Sequence, residues 1–506
     1  MSKKTLVCIL ALILALAIVG SVCAQEIKSA KDTLIVAMPS DPANFDPNTD
    51  SIQMVHTMKK QIYETLIWRD YEGNLQPQLA ESWEYPDDYT IIFHIRPGVQ
   101  FHGGYGELKA SDVLFSIKRC LDTAAASAVS QIDFDKSEVI DDYTVKFVTK
   151  DIYIPQIAYF EWALTGIFSE QSYKDSNGDF TKNPYGTGPY ELVDYTAGDV
   201  YIFKAFDKYW DQTKPYVKNL IMRVITESTN RTIELETGGV DLIYEAPSVD
   251  ITRLENNPDV TVYRDPSMNT NYVFFNTSRP IISDPQVRIA LAHALDVETA
   301  VKTAYKGTGV VAQYYASPGV EGVDHNIHPY EYDVELAKKM LADLGYADGF
   351  DLVFYTDTTQ ERMDIVEIFQ NQLKQVGVNC TIQVIEPVAY QQAFKEGNFD
   401  MMVYGLTTTT AEGDKAFRWF HSGNALGHTF VYWTNEEYDN LIDEASKTLD
   451  FDKRMELYSK AQQILKDECI VIPTLHREIL TAATKDLKGF QNNITYESPY
   501  LKYCYF

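Results

Sequence analysis

Between residues 350 and 404 the apolar pattern changes period four times, and few folds accommodate such a run. Residues 350–356, 381–385 and 399–404 are short apolar stretches with the habit of strands, and residues 361–376 and 388–395 between them repeat apolar positions at helical spacing. Strands alternating with helices in this order need crossover connections. An α/β fold with a parallel or mixed sheet and covering helices is the expected result. Upstream, Asp284 and Pro285 supply an N-cap and a first-turn proline for a helix over 287–302, whose Val287, Ala290, Leu291, Ala294 and Leu295 share one face. A second helix is expected over 333–344, closed by Gly345.

The first half carries shorter signals. Residues 33–38 (Thr-Leu-Ile-Val-Ala-Met) read as a strand, and the turn-rich segment 39–47 after it reads as a loop at a strand end. Loops in that position often face a ligand crevice, which makes Asn44 and Phe45 candidate contacts. Residues 89–95 and 143–148 read as strands with a helix over 110–121 between them, a small mixed α/β unit. No repeat or long linker separates these parts, so short crossings rather than tethers should join them.

The opening residues point to export. Lys3 and Lys4 precede the apolar stretch 6–19, and small residues follow. Fourteen apolar residues rise only about 21 Å as a helix, short of a bilayer core of roughly 30 Å, so residues 1–24 read as a signal peptide. Cys23 also sits where a lipid-modified cysteine would, but Val22 replaces the Gly, Ala or Ser such a site needs, which favours a free chain beginning at Gln25. Loss of that segment removes Lys3 and Lys4 and no acid, taking the net charge from −28 to about −30. A charge of that sign repels nucleic acid and anionic lipid. Cys120, Cys380, Cys469 and Cys504 remain, without metal-finger spacing and with no disulfide framework required.

Several stretches carry a family resemblance, and each alone is weak. They are Leu-Ala-Glu-Ser-Trp at 79–83, Asp-Asp-Tyr-Thr at 87–90, Phe-His-Ile-Arg-Pro-Gly-Val at 93–99, Phe-His-Gly at 101–103 and Ala-Ser-Asp-Val-Leu-Phe-Ser at 110–116. Tyr-Gly-Thr-Gly-Pro-Tyr at 185–190, Gly-Val-Asp-Leu at 239–242, Asp-Pro-Gln-Val-Arg at 284–288 with Ala-Leu-Asp at 294–296, and the 333–344 segment follow. In this order and spacing the chain resembles the family 5 solute-binding proteins of bacterial ABC importers, a group with peptide-, dipeptide- and nickel-binding members. Most of these motifs read locally as structure: Trp83, Phe93 and Phe115 as core, and Gly186-Thr187-Gly188 as a tight turn before a strand, since no P-loop context surrounds it.

The resemblance implies a two-lobed, type II periplasmic-binding-protein-like fold with an extra subdomain inserted in the first lobe. The first lobe would be 33–67, 188–270 and 478–506, the insert 68–187 and the second lobe 271–477, with crossings near 268–272 and 476–480. It implies an extracytoplasmic monomer that closes by a hinge over a small solute, an oligopeptide or dipeptide by family, and delivers it to an ABC permease and its ATPase. No nucleic-acid partner, cofactor, metal or catalytic residue is expected. A non-peptide solute, or presentation of the ligand to a sensory receptor, is the alternative. A hydrolase is disfavoured, because neighbouring acids such as Asp87-Asp88 and Asp141-Asp142 point to opposite strand faces and neither G-x-S-x-G nor H-E-x-x-H occurs.

Peptide-binding members hold the ligand's amino terminus with an aspartate in a Trp-x-x-Asp stretch after a second-lobe strand, because a buried ammonium needs a charged, hydrogen-bonding partner. The corresponding segment here, 404–414, reads Tyr-Gly-Leu-Thr-Thr-Thr-Thr-Ala-Glu-Gly-Asp. That places Thr409 at the aspartate's position. One inserted residue would bring Glu412 or Asp414 into the role; otherwise Thr407, Thr408 and Thr409 would line a hydroxyl-rich site. Phe417 and Trp419 are candidates to cover an apolar part of the ligand, and Arg362 to pair with a carboxylate. His421 and His428, without a third ligand at defined spacing, make a weak metal case.

Overall fold

A computed structural model describes residues 28–506 except 43, 50–52, 72, 182, 387–388, 409 and 495–500. Residues 1–24, which the sequence reads as a signal peptide, with their Cys23, and Thr409 therefore lie outside the described residues.

Strand Thr33–Met38 forms over the residues its apolar run predicts, between parallel neighbours Asn219–Val224 and Leu242–Tyr244. Asn219–Val224 continues antiparallel into Val200–Ala205 and Tyr190–Thr196. On the other side, Leu242–Tyr244 pairs antiparallel with Val471–Thr484, and that strand pairs with Val260–Phe275 along most of its length. Met401–Thr407 pairs with the far end of Val260–Phe275, and the parallel strands Phe350–Asp357 and Val378–Ile385 complete an eleven-stranded mixed sheet that also holds the short Val310–Val311.

Val260–Phe275 and Val471–Thr484, of 16 and 14 residues, lie side by side in the middle of this sheet and join its two halves, Val471–Thr484 pairing with Leu242–Tyr244 and Val260–Phe275 with Met401–Thr407. Their pairing slips register between Pro266 and Thr270 and again between Asn271 and Tyr272. Such irregularities bend and twist a strand pair locally. Alternation along the first strand feeds two cores. Val273 and Phe275 enter the cluster around helix Pro285–Ala294, and Tyr272 and Phe274 enter the one around helices Glu436–Lys447 and Phe451–Glu468.

A separate four-stranded antiparallel sheet, Ala80–Asp87, Thr90–Ile95, Thr144–Val148 and Glu138–Asp141, carries helix Ala110–Arg119 and its own core around Phe93, with Trp83 packed at its margin; Phe115 packs instead against the cluster that holds Leu34, Val36 and Phe168. Gly186 and Gly188 form the turn before Tyr190–Thr196. A Cβ at Gly186 would lie 2.2 Å from the Ile62 carbonyl oxygen, and one at Gly188 would lie 2.4 Å from that of Gln61. Glycine there serves close backbone approach.

The helix expected over 287–302 is two helices, Pro285–Ala294 and Val297–Ala304. Leu295 is extended, and the Asp296 carboxylate accepts from Thr299 N at 3.0 Å, so a new N-cap outcompetes helix continuation. The Asp284 cap and first-turn Pro285 are as read.

Candidate functional site

Where the long strand pair passes from one half of the sheet to the other, a cleft of about 750 Å³ opens. One wall comes from Ser228, Arg231 and residues 244–249 at the end of and after strand Leu242–Tyr244, the other from Tyr305, Thr308, Gly309, Thr359, Glu361, Arg362 and Thr407. Asn269, Asn271, Leu475 and residues 477–480 of the long strands close it from below. The volume falls in the range of small-molecule sites, about 300–1,000 Å³.

On the first wall Arg231 is buried on helix Ser228–Glu236. Its guanidinium donates to four carbonyls, those of Ile225 (2.7 Å), Thr226 (2.9 Å), Tyr244 (3.0 Å) and Glu245 (2.9 Å). Burial pulls its pKa down, and the nearby Glu245 carboxylate pulls the other way. These bonds hold the turn in which Glu245 adopts φ 49°, a left-handed conformation that costs a non-glycine residue on the order of 1–2 kcal/mol. Glu245 is exposed to the cleft.

On the second wall Arg362, in the first turn of helix Gln360–Lys374, pairs through Nη1 with Asp357 and stacks over the Tyr404 ring at 5.2 Å. Beside it runs a polar chain: Asn271 Nδ2 donates to Asn269 Oδ1 at 3.1 Å, and Asn269 Nδ2 donates to Thr407 Oγ1 at 2.7 Å. Asn271 Oδ1 and Arg362 Nε are buried without a hydrogen-bond partner among the described residues. A Cβ on Gly405 would lie 2.8 Å from the former residue's Oδ1 and 3.1 Å from Arg362 Nη2, so only glycine leaves both side chains their places. At the base, Glu478 accepts from Arg264 Nη2 at 2.7 Å.

Of the residues singled out from sequence, Arg362 and Thr407 line this cleft together. Thr408 is buried next to it, its N–H bonded to Met268 O at 2.9 Å. Glu412, Asp414, Phe417 and Trp419 form a neighbouring network rather than cleft wall. Glu412 accepts from Tyr458 OH at 3.0 Å. Burial, then the charge of Glu321, pushes its carboxyl up to about 8. Asp414, 1 % exposed, accepts from Tyr153 OH at 2.8 Å and from Arg418 Nε at 2.9 Å. Phe417 packs on Tyr458 and Trp419 meets Phe430 edge-on.

Asn44 closes its own loop by accepting from Asp46 N at 2.8 Å and Thr49 Oγ1 at 2.9 Å, and Phe45 is buried against Tyr195 and Tyr201. His428 shares a hydrogen bond with the Trp433 carbonyl, and no group of three His, Cys, Asp or Glu among the described residues is placed to hold a metal ion. Sequence reading passed over Arg231, Glu245, Asn269 and Asn271. The two asparagines stand at alternate positions just before the aromatic and apolar run Tyr272 to Phe275, a faint signal in a strand that is polar through much of its first half; the left-handed Glu245 left none.

Comparison with known proteins supplies the family. Residues 74–427 match the bacterial extracellular solute-binding proteins, family 5, in their middle region. The dipeptide-binding protein of Escherichia coli K12 is 27 % identical over 94 % of this chain and 95 % of its own, and glutathione-binding protein GsiB of Salmonella typhimurium is 28 % identical over 94 % and 95 %. Heme-binding protein A of Haemophilus influenzae is 26 % identical over 93 % and 92 %. Among solved structures, HbpA2 from Haemophilus parasuis superposes with a TM-score of 0.85 at 24 % identity, covering 92 % of this chain and 98 % of that one. The unliganded open form of the periplasmic murein tripeptide-binding protein MppA superposes with a TM-score of 0.83 at 20 % identity, covering 95 % and 98 %. The fold is the two-lobed, type II periplasmic-binding-protein arrangement with a subdomain added to the first lobe, and the chain belongs to the family 5 bacterial extracellular solute-binding proteins.

Proposed function

We propose that this protein captures a small solute, a short peptide by the names of several relatives, and delivers it as the extracytoplasmic binding subunit of an ABC importer. The observation that carries the reading is the position of the cleft: both halves of the sheet wall it, and the two long strands that join them floor it. In this reading the lobes are 33–67 with 188–270 and 478–506, and 271–477, with 68–187 as the insert. The register slips at 266–272 are the flexing point. A ligand that touches both walls stabilises the closed form, because it binds that form better than the open one. The protein acts as an exported monomer, alone in the cleft and docked on a permease when closed, and it performs no chemistry on its ligand.

Thermal and urea denaturation with a panel of dipeptides, glutathione and haem tests this. A true ligand at 100 times its dissociation constant should add about 2.7 kcal/mol to unfolding. A panel extended to sugars and metal chelates that leaves stability unchanged throughout would sink the capture reading, and turnover of a bound peptide would replace it with an enzymatic one.

A further inference from the structure

We propose that the Tyr153 hydroxyl, bonded to Asp414, restrains the protein in its open state, so that a solute closing the cleft has to break this contact and the strength of the contact sets affinity from outside the binding site. The inference deepens the capture reading and rests on its lobe division. Tyr153 OH donates to Asp414 Oδ2 at 2.8 Å, across 261 residues of chain. The aspartate is 1 % exposed, and its carboxylate also accepts from Arg418 Nε at 2.9 Å. The Tyr159 hydroxyl lies near the same carboxylate, and helix Glu436–Lys447 packs on the 3-10 segment Ile154–Phe160 that follows Tyr153.

This bond joins two bodies that closure moves relative to one another. Tyr153 belongs to the insert, whose Phe115, Phe168 and Phe180 pack in one cluster with Leu34, Val36 and Leu220 of the first-lobe strands, so the insert travels with that lobe. Asp414 travels with the second lobe, because Phe417 of the same short helix accepts at its carbonyl from Tyr438 OH at 2.6 Å and packs its ring on Tyr458. A relative shift of about 1 Å takes a 2.8 Å bond beyond hydrogen-bonding length.

The contact is complete while the cleft stands open. Glu245 and Val249 on one wall and Thr359 on the other are exposed, Val249 to 62 % although it is apolar, and closure over a solute would cover these lips. Neither Tyr153 nor Asp414 lines the cleft. A bond made in the open arrangement and lost on closure weighs against the closed state, and it lowers the affinity for a solute that needs that state by the same factor.

The test compares wild type with Y153F, each as the full mature chain, in two measurements. Without solute, spin labels on V249C and T359C, one on each wall, report the width of the cleft, with Cys380 replaced by serine and the buried Cys120, Cys469 and Cys504 left in place. With solute, Ala-Ala, Lys-Ala, glutathione and haem are calorimetric probes of the unlabelled proteins. Y153F should melt lower than wild type, yet show a larger population of short distances and bind the best probe about fivefold or more tighter, a combination that lost packing alone does not produce. Distances that match wild type, or an affinity within about twofold of wild type or weaker, overturn the restraint and leave solute capture standing. If neither these probes nor any solute of the wider panel binds either protein, the capture reading falls and the label distances alone decide the restraint.

Discussion

Glu412 should make the protein less stable as pH rises through neutrality, and replacing it should remove that loss. Glu412 is 6 % exposed, its carboxyl has one hydrogen bond among the described residues, from Tyr458 OH, and the guanidinium that acts on it, Arg454, is already paired with Glu321 at 2.9 Å. Desolvation and the Glu321 charge therefore raise its pKa to about 8, against an ordinary value of about 4.3. Between those values the native state keeps a proton that the unfolded chain releases. The stabilisation is complete below pH ~4.3 and is lost progressively up to pH ~8, because stability falls with pH wherever the native state binds more protons. At about 1.4 kcal/mol per unit the full shift would approach 5 kcal/mol, and Arg454 relaxing toward the charged carboxylate should reduce this to about 2–3 kcal/mol. Glutamine keeps an acceptor for Tyr458 and never ionises. E412Q should thus match wild type at pH 5 and exceed it by about 2–3 kcal/mol at pH 8.5, read as the difference in urea unfolding energies so that other titrating groups cancel. An E412Q protein that loses stability at pH 8.5, or that differs from wild type equally at both values, would refute the reasoning and show the carboxylate ionised against Arg454.

Two further outcomes are expected. Y153F removes only the hydroxyl that donates to Asp414 and should cost about 1.5–3 kcal/mol in urea unfolding, with D414A costing more because it also takes from Arg418 one of its two carboxylate partners, leaving Asp443; a silent Y153F would mean water replaces that hydroxyl. G186A should lower stability by at least about 1–3 kcal/mol, since its Cβ meets the Ile62 carbonyl of the backbone, and an unchanged melting temperature would show that the two segments part freely there.

How much was legible follows from how local each determinant is. The strand Thr33–Met38, the Asp284 cap with Pro285 and the alternation of strands and helices from Phe350 onward were readable because apolar period and capping chemistry act within a few residues. The break at Leu295 was missed because an apolar face at helical spacing is satisfied equally by one helix or two, and only the competing Asp296 cap decides. The cleft is harder, since its charges are assigned by partners far away in the chain. Asp414 is a candidate anchor by sequence, yet Tyr153, 261 residues distant, donates to one of its oxygens; Glu478 at the cleft is likewise paired with Arg264, 214 residues away.

Glu245 is the cleft residue whose placement owes least to its sequence neighbours. Nothing around it in sequence distinguishes it from the many surface acids of a chain with net charge −28. What distinguishes it is subtraction: once every other carboxylate at the cleft is matched to its cation, Glu245 and Glu361 remain. Glu245 is moreover held at a left-handed φ by a buried arginine whose bonds all go to backbone. That φ costs a non-glycine residue on the order of 1–2 kcal/mol, and the turn stands because the Arg231 guanidinium bonds four carbonyls around it, a tertiary determinant with no local trace in the sequence.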